Sequence, residues 1–287
     1  MLLDALLDDY LLEHDIATGS ARNMRQAVDS YSEFIWRECQ RESSIDDLTA
    51  KPVNSWLVGL VAKNKRTTAS SYRGRLLTLW RYAYQIELVN EWPSRVRRIK
   101  TDRPLPDSWS DDEVARMIVE ASRYKGNLCS PRAQGISRAG YLVSLIAIVH
   151  AAGNRYEDLI RFGWENLRGN NLAWVQHKTG KPLSRPIPEW VVALINRTFS
   201  KDRPAWFGGV ISYNRMRLYF VQITERAGVT GTYRKLRRTS GNAVEEKYPG
   251  FGHRHLGNTP AVFQAHYADP SRLSLAAPSP DPLPPPV

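Results

Sequence analysis

The stretch of the chain best equipped for chemistry is residues 232–267, where clustered cations precede a tyrosine. Arg234 and Arg237 are three residues apart, so on a helix they share a face on which two planar guanidinium groups could grip one tetrahedral anion. Thr259-Pro260 predicts the N-cap and first position of another helix, which carries Tyr267 about two turns further on. Cations aimed at a phosphate beside a positioned tyrosine hydroxyl are what nucleophilic phosphoryl transfer needs.

This stretch resembles the second box of the tyrosine recombinase (phage integrase) family. The family has His-x-x-Arg, then Leu-Gly-His, and a nucleophilic tyrosine nine residues beyond that histidine. Here Asn258 and Tyr267 are nine residues apart. Arg234 stands where the family usually has histidine, and Asn258 stands where it usually has histidine or tryptophan. The fold that the resemblance implies is unaffected by these two differences, which bear on catalysis.

An earlier arginine fits the first box of the same family, which has the form Gly-x-Arg-x-x-Glu/Asp-Leu. A mostly apolar helix from Gly140 is predicted to end at Gly153-Asn154, a left-handed stop. Arg155 follows at once, and Asp158-Leu159 completes the phrase. An arginine after a helix stop is usually only solvated, so the order and distance of the other motifs give this one its weight.

A predicted β-hairpin supplies a lysine. Residues 171–177 and 183–188 have strand character, and Thr179-Gly180 predicts the turn between them. Lys178 therefore lies at the shoulder of the turn, where the resemblance places the catalytic lysine. The competing interpretation is a solubilising lysine, and Lys181 is a close neighbour that could take the same role.

The resemblance implies six catalytic residues: Arg155, Lys178, Arg234, Arg237, Asn258 and Tyr267. Two arginines, Arg155 and Arg237, would hold the non-bridging oxygens of a scissile phosphate. Tyr267 would attack and leave a 3'-phosphotyrosyl link, and Lys178 would protonate the departing 5'-hydroxyl. The resemblance further implies that neither a metal nor another cofactor is required. The energy of the broken phosphodiester bond is retained in the phosphotyrosyl link, so religation needs no ATP. Arginine at 234 is a poor base because it stays protonated.

Composition favours a polyanionic partner. The 287 residues contain 40 Lys plus Arg and 29 Asp plus Glu, a formal net charge of +11, and their number suits two domains. Cys39 and Cys129 lack metal-ligand spacing, which indicates a reducing compartment without a disulfide framework. The longest apolar run, 141–149, is too short to span a bilayer. We expect a cytoplasmic, nucleoid-associated protein without membrane contact.

The first hundred residues are predicted to form four helices. Apolar side chains recur at helical spacing in four segments, around Leu2–Leu11, Met24–Ile35, Val53–Val61 and Thr68–Glu87. The pattern resembles the helical, SAM-like core-binding domain of the integrase family. The competing interpretation is an ordinary bundle with solvated arginines. The residues expected to contact DNA are Arg66, Arg73, Arg75, Arg95, Arg97, Arg98 and Lys100.

A basic, proline-containing segment at 94–108 predicts an extended linker that tethers two domains along a phosphate backbone. Ser110 to Glu113 matches a capping box and opens a new helix. The predicted organisation is a helical domain at 1–104, a catalytic domain at 105–275 and a disordered proline-rich tail at 276–287. The fold class is mostly α with a small β-sheet, and the second domain is the α+β catalytic domain of the family.

The function that the resemblance implies is a site-specific recombinase that cuts and rejoins double-stranded DNA, assembled on it as a homotetramer. A type IB topoisomerase-like nicking and closing enzyme would use the same residues as a monomer. A DNA-binding protein that kept the fold and lost its chemistry is another alternative. A phosphate-handling enzyme with an arginine-rich pocket is a third, although the sequence has neither a glycine-rich phosphate loop nor a metal-ligand cluster.

Overall fold

The computed structural model describes residues 1–63, 66–102 and 104–273. The chain divides into two compact units, with the boundary between residues 103 and 104. The tail predicted at 276–287 lies outside the described residues. No helix in the described ranges is long and apolar enough to cross a membrane.

The described residues of the first unit form four α-helices, as the sequence predicts. They are α1 (Leu3–Glu13), α2 (Thr18–Cys39), α3 (Ala50–Lys63) and α4 (Arg66–Gln85). Their apolar faces bury a core that includes Leu7, Tyr31, Trp56, Leu76 and Trp80. Burial of large apolar side chains on every helix makes this unit a self-contained bundle.

The segment after α4 is packed on the first unit rather than extended freely from it. Val96 and Ile99 are buried in the core of that unit. Asn54 donates to the Arg95 carbonyl at 3.1 Å and accepts from the Arg97 amide at 2.7 Å. Residues 95–100, hereafter the packed segment, are therefore anchored to the first unit by two buried apolar side chains and by hydrogen bonds between Asn54 and their backbone.

Arg73 on α4 also contributes to this anchoring. Its Nε donates to the Arg97 carbonyl at 2.7 Å and its Nη2 donates to the Val96 carbonyl at 3.0 Å. Burial lowers the pKa of Arg73, and the nearby charges of Arg81 and Arg98 lower it further. Contact of this side chain with DNA stays a prediction, whereas its bonds to the packed segment are observed.

The second unit combines helices with one small sheet. Its helices are α5 (Asp111–Ser122), α6 (Arg138–Ala152), α7 (Tyr156–Leu159), α8 (Glu189–Thr198), α9 (Tyr213–Arg226), α10 (Tyr233–Lys247), α11 (Gly252–Leu256) and α12 (Pro260–His266). The predicted capping box is present, with the Ser110 hydroxyl accepting from the Glu113 amide at 3.2 Å. The central helix α6 is apolar around most of its circumference and is accordingly buried on most sides.

The sheet has three antiparallel strands in the order β1-β2-β3. They are β1 (Leu167–Arg168), β2 (Asn171–Val175) and β3 (Pro182–Pro186). Pairing of Val175 with Pro182 closes the hairpin that the sequence predicts, with Lys178 in its turn. The sequence did not predict β1 or α8. The mostly helical fold with a small sheet is confirmed.

The anchoring of the packed segment leads to a stability prediction. Arg73→Ala removes two hydrogen bonds from a charged donor to backbone carbonyls, so we expect the free energy of unfolding to fall by about 1 to 2 kcal/mol. Urea denaturation of the full chain measures it. Arg75→Ala on the same helix is the matched control, and an equal loss in that variant would contradict the assignment.

Candidate active site

The site is built around the buried guanidinium of Arg237 on α10. Only 6% of this residue is exposed. Its Nη1 donates to the Gly153 carbonyl and its Nη2 donates to the Leu256 carbonyl at 2.8 Å. Its Nε donates to the hydroxyl of Tyr267 at 3.5 Å. Burial lowers the pKa of Arg237, and the neighbouring Tyr267 opposes that shift. The guanidinium is thereby fixed, with one edge facing the tyrosine.

Gly153 provides the turn that presents one of those carbonyls. It ends α6 in the left-handed conformation, with φ of 61°, as the sequence predicts. A Cβ atom at this position would lie 2.6 Å from Leu256 Cδ2 and 2.9 Å from His255 Nε2. The close approach and the positive φ both require glycine here. The turn therefore depends on this residue for both its backbone conformation and its packing.

Arg155 and Asn258 meet beside the tyrosine. Arg155 is the N-cap residue of α7, and its Nη2 donates to Asn258 Oδ1 at 3.4 Å. Arg155 Nη1 and Asn258 Nδ2 are buried and lack a hydrogen-bond partner among the described residues. Buried donors of this kind are rarely left without a partner. Two such donors on residues that contact each other could together bind an anion with several oxygen atoms.

Tyr267 lies at the C-cap of α12, with its ring parallel to that of Phe263. Burial raises the pKa of its hydroxyl, and the charge and hydrogen bond of Arg237 oppose that shift. The charge of Arg155 and the proximity of the Asn258 amide act in the same direction, so the net pKa of the Tyr267 hydroxyl lies below its ordinary value. A phenol with a lowered pKa ionises more readily and becomes a better nucleophile at neutral pH.

Lys178 is exposed in the turn after β2, and two contacts fix that turn. Asp158 Oδ1 accepts from the His177 amide at 2.8 Å. On the other side, Gln176 Nε2 donates to the Leu256 carbonyl at 3.0 Å. Leu256 thus accepts hydrogen bonds from both Gln176 and Arg237. The turn is tied to the arginine site, and the catalytic role of Lys178 stays a prediction.

The structure does not bring Arg234 into this cluster. Its side chain is exposed on α10, and the described residues include no hydrogen-bond partner for it. Three residues turn an α-helix by about 300°, so the two side chains diverge by about 60°. That difference directs Arg237 inward and leaves Arg234 in solvent. The expected pairing of two guanidinium groups on one face is therefore absent, and a catalytic role for Arg234 stays a prediction.

Sequence reasoning missed the roles of Gln176 and His255. The imidazole Nε2 of His255 lies 2.7 Å from the Ser240 hydroxyl. Burial, together with the charges of Arg185, Arg237 and His150, lowers the pKa of His255 to about 3. Its position just before Leu256-Gly257 is the signal that could have identified it as part of the wall of the site. For Gln176 the sequence carries no comparable signal.

In the first unit, four of the predicted DNA-binding residues lie around one cavity. It has a volume of about 230 Å³ and is lined by Val61, Arg66, Arg97, Arg98, Ile99 and Lys100. Arg95 is also exposed, and Arg75 is partly exposed. The exposed cations of the packed segment form a basic surface that is suited to phosphate groups.

Comparisons with known proteins place this geometry in context. No family model matches the chain. A Pseudomonas syringae protein that carries the name tyrosine recombinase XerC is 22% identical over 258 residues, which cover 85% of this chain and 53% of that protein. The chain therefore spans about half the length of this curated relative.

Solved structures resemble the chain over most of its length. A lambda integrase dimer bound to a COC' core site matches with a TM-score of 0.73 and 17% identity, covering 94% of this chain and 77% of that chain. A lambda integrase tetramer bound to a Holliday junction matches with a TM-score of 0.71 and 17% identity, covering 99% and 80%. The chain has the tyrosine recombinase fold, and the resemblance to that family is confirmed.

The buried histidine leads to a prediction about pH. Histidine ordinarily titrates near 6.5, whereas the pKa of His255 is about 3 in the folded chain. Between those values the unfolded state binds a proton that the folded state does not, so stability is retained above about pH 6.5 and is lost towards pH 3. We expect His255→Gln to flatten this acid-side dependence.

Urea denaturation at pH 7 and pH 4.5 measures the effect. His14→Gln is the control, because that imidazole is exposed. Parallel pH profiles for the native chain and His255→Gln would show that His255 does not remain neutral in the folded state.

Proposed function

We propose that the chain cuts and rejoins DNA strands through a covalent bond between Tyr267 and a DNA phosphate. The observation that carries the proposal is the meeting of Arg155, Arg237, Asn258 and Tyr267. In that cluster two buried donors lack partners beside a tyrosine of lowered pKa. A phosphodiester offers the oxygen atoms that those donors lack. The fold of the tyrosine recombinases supports the same assignment.

The chemistry follows from the positions of these groups. Tyr267 Oη forms a bond to phosphorus as the bond from phosphorus to the 5'-oxygen breaks, and the tyrosine proton passes to water. Arg155 Nη1 and Asn258 Nδ2 bind non-bridging oxygens as their negative charge grows in the transition state. Lys178 gives a proton to the 5'-oxygen as it leaves. The reverse attack by the 5'-hydroxyl restores the strand and frees the tyrosine.

Arg237 acts on the nucleophile in this proposal. Each of its Nη atoms donates one hydrogen bond, to the carbonyl of Gly153 or Leu256, and its Nε is directed at the Tyr267 hydroxyl. A fixed positive charge at that place stabilises the phenolate before attack. The same charge lies next to the phosphate once it is bound, so it also opposes the negative charge of the transition state.

The proposed substrate is double-stranded DNA, and the proposed active assembly is a homotetramer. The net charge of +11 and the basic surface of the first unit support a DNA partner. The two lambda integrase structures, a dimer on a core site and a tetramer on a Holliday junction, support assembly of several copies on DNA. Site-specific recombination is the overall activity that unites these proposals.

The identity of the nucleophile is tested by Tyr267→Phe. The variant keeps the ring against Phe263 and removes the only atom that can attack, so we expect DNA binding to persist and the covalent adduct to disappear. A duplex DNA library of random sequence that carries strand nicks, followed by denaturing electrophoresis, detects the adduct whatever the target sequence.

The matched control is Tyr248→Phe, because Tyr248 is 55% exposed and lies outside the cluster. Adduct formation in this variant should stay within about an order of magnitude of the native chain, because substitution of an exposed residue outside the cluster changes stability by only about 0.5 kcal/mol or less. A covalent adduct that forms with Tyr267→Phe would show that another residue is the nucleophile.

Phosphate contact by the packed segment is tested through salt. If Arg95, Arg97 and Arg98 neutralise phosphates, replacing all three with alanine should reduce the slope of log affinity against log salt by about 1 to 3. Fluorescence anisotropy with labelled duplex DNA at several salt concentrations gives that slope.

The control removes the same charge from α2 by replacing Arg22, Arg25 and Arg37. Arg25 and Arg37 are already paired with Asp8 and Glu33. Equal slopes for the two triple variants would show that the packed segment does not contact DNA phosphates.

A further inference from the structure

The backbone on both sides of Ala268 is held by one buried side chain, Asn242 of α10. Its Nδ2 donates to the Tyr267 carbonyl at 2.7 Å, and its Oδ1 accepts from the Asp269 amide at 2.9 Å. The second hydrogen of Nδ2 is donated to the Arg238 carbonyl at 2.8 Å. Asn242 is fully buried. The amide therefore uses both of its donors and its acceptor in a water-excluded place.

Asparagine suits this position because its amide carries donors and an acceptor on one short, planar group. The Tyr267 carbonyl and the Asp269 amide need one of each. A serine or threonine hydroxyl has a single donor, and an aspartate lacks the amide donors. Loss of the side chain would leave the Tyr267 carbonyl and the Asp269 amide without their partner in the interior.

The same turn is anchored a second time through Asp269. Its Oδ2 accepts from the Ser108 amide at 2.6 Å and from the Ser108 hydroxyl at 2.7 Å. Its Oδ1 accepts from the Ser271 amide at 2.9 Å and from the Ser271 hydroxyl at 2.6 Å. Asp269 is only 3% exposed. The turn after Tyr267 is thus tied to α10 and to the start of the second unit.

We propose that Asn242 is a positioning residue, which holds Tyr267 beside Arg237 of the same chain before DNA binds. Its consequence for catalysis rests on the proposed function, whereas the positioning itself concerns the protein alone. Arg237 and Asn242 lie on one rigid helix, so the side chain and the backbone of the tyrosine are held from the same element. The two contacts therefore keep a constant separation.

The position of Tyr267 that Asn242 fixes determines its hydrogen bond with Arg237, and this bond is long. Arg237 Nε and the Tyr267 hydroxyl are 3.5 Å apart, at the outer limit of a hydrogen bond. A small displacement of the Tyr267 backbone is therefore enough to break it. The hydroxyl would then lose the nearby charge that favours its ionised form.

The first experiment measures the ionisation of Tyr267 without DNA. Ultraviolet difference titration of a protein against the same protein carrying Tyr267→Phe isolates this hydroxyl from the other tyrosines. In the native background we expect a pKa below the ordinary value of about 10. In Asn242→Ala the pKa should rise towards that value. Thermal denaturation of each variant shows that it is folded.

Asn166→Ala is the matched control. Asn166 also bridges two backbone groups, since its Nδ2 donates to the Ala173 carbonyl at 3.0 Å and its Oδ1 accepts from the Gly163 amide at 2.9 Å. These two hydrogen bonds join the segment after α7 to the sheet, away from Tyr267. We expect a comparable loss of thermal stability and an unchanged Tyr267 pKa. Ser108→Ala serves if Asn242→Ala fails to fold, because it weakens the Asp269 anchor at a partly exposed residue.

The second experiment adds nicked duplex DNA. Misplacement of a reacting group by about 1 Å costs on the order of a hundredfold in rate, so adduct formation should fall by about that factor in Asn242→Ala at unchanged DNA affinity. One outcome is a Tyr267 pKa that is higher in Asn242→Ala than in the native chain, with no adduct formed by the native chain or by any variant. That outcome would support the positioning role and overturn the proposed function. A Tyr267 pKa that is the same in the native chain and in the folded Asn242 or Ser108 variants would overturn the positioning role.

Discussion

Burial of one positive charge is the constraint on which the second unit depends. A guanidinium taken out of water is costly unless hydrogen-bond acceptors surround it. Arg237 finds them in the carbonyls at the ends of two helices, Gly153 after α6 and Leu256 in α11. Carbonyls at a helix end lack partners within the helix, and here each helix ends in a left-handed glycine, Gly153 or Gly257. The arginine, the helix ends and the glycines are therefore one interdependent arrangement.

The Leu256 carbonyl extends this arrangement to the sheet. It accepts from Arg237 and from Gln176, so the position of the hairpin turn follows the position of the arginine. The same cation also acts at a distance on its neighbours. It lowers the pKa of the Tyr267 hydroxyl and contributes to the neutrality of His255. A single buried charge thereby fixes much of the geometry of the site and contributes to the protonation of both groups.

Much of this architecture could be predicted, because it depends on local rules. Apolar periodicity marked the helices of the first unit, and the Ser110 capping box and the Gly153 stop fixed two helix ends. The resemblance of this stretch to the family's second box implied a joint site for Asn258 and Tyr267, and the structure brings both together with Arg155 and Arg237. The inward turn of Arg237 and the outward turn of Arg234 could not be predicted, since both are arginines on one helix and only tertiary packing decides which is buried.

Packing also determines the position of the residues after α4. Their charge predicted an extended linker, whereas burial of Val96 and Ile99 anchors them to the first unit. The hydrogen bonds that hold the backbone of Tyr267 have a consequence for the order of the reaction. Arg155, Arg237, Asn258 and Tyr267 all belong to one polypeptide, and Asn242 and Asp269 hold the last of them in place. In a chain that acts as proposed, each copy bound to DNA carries its own complete set of groups for attack. Strand cleavage would then be first order in occupied sites, and any higher order in protein concentration would belong to assembly and strand exchange.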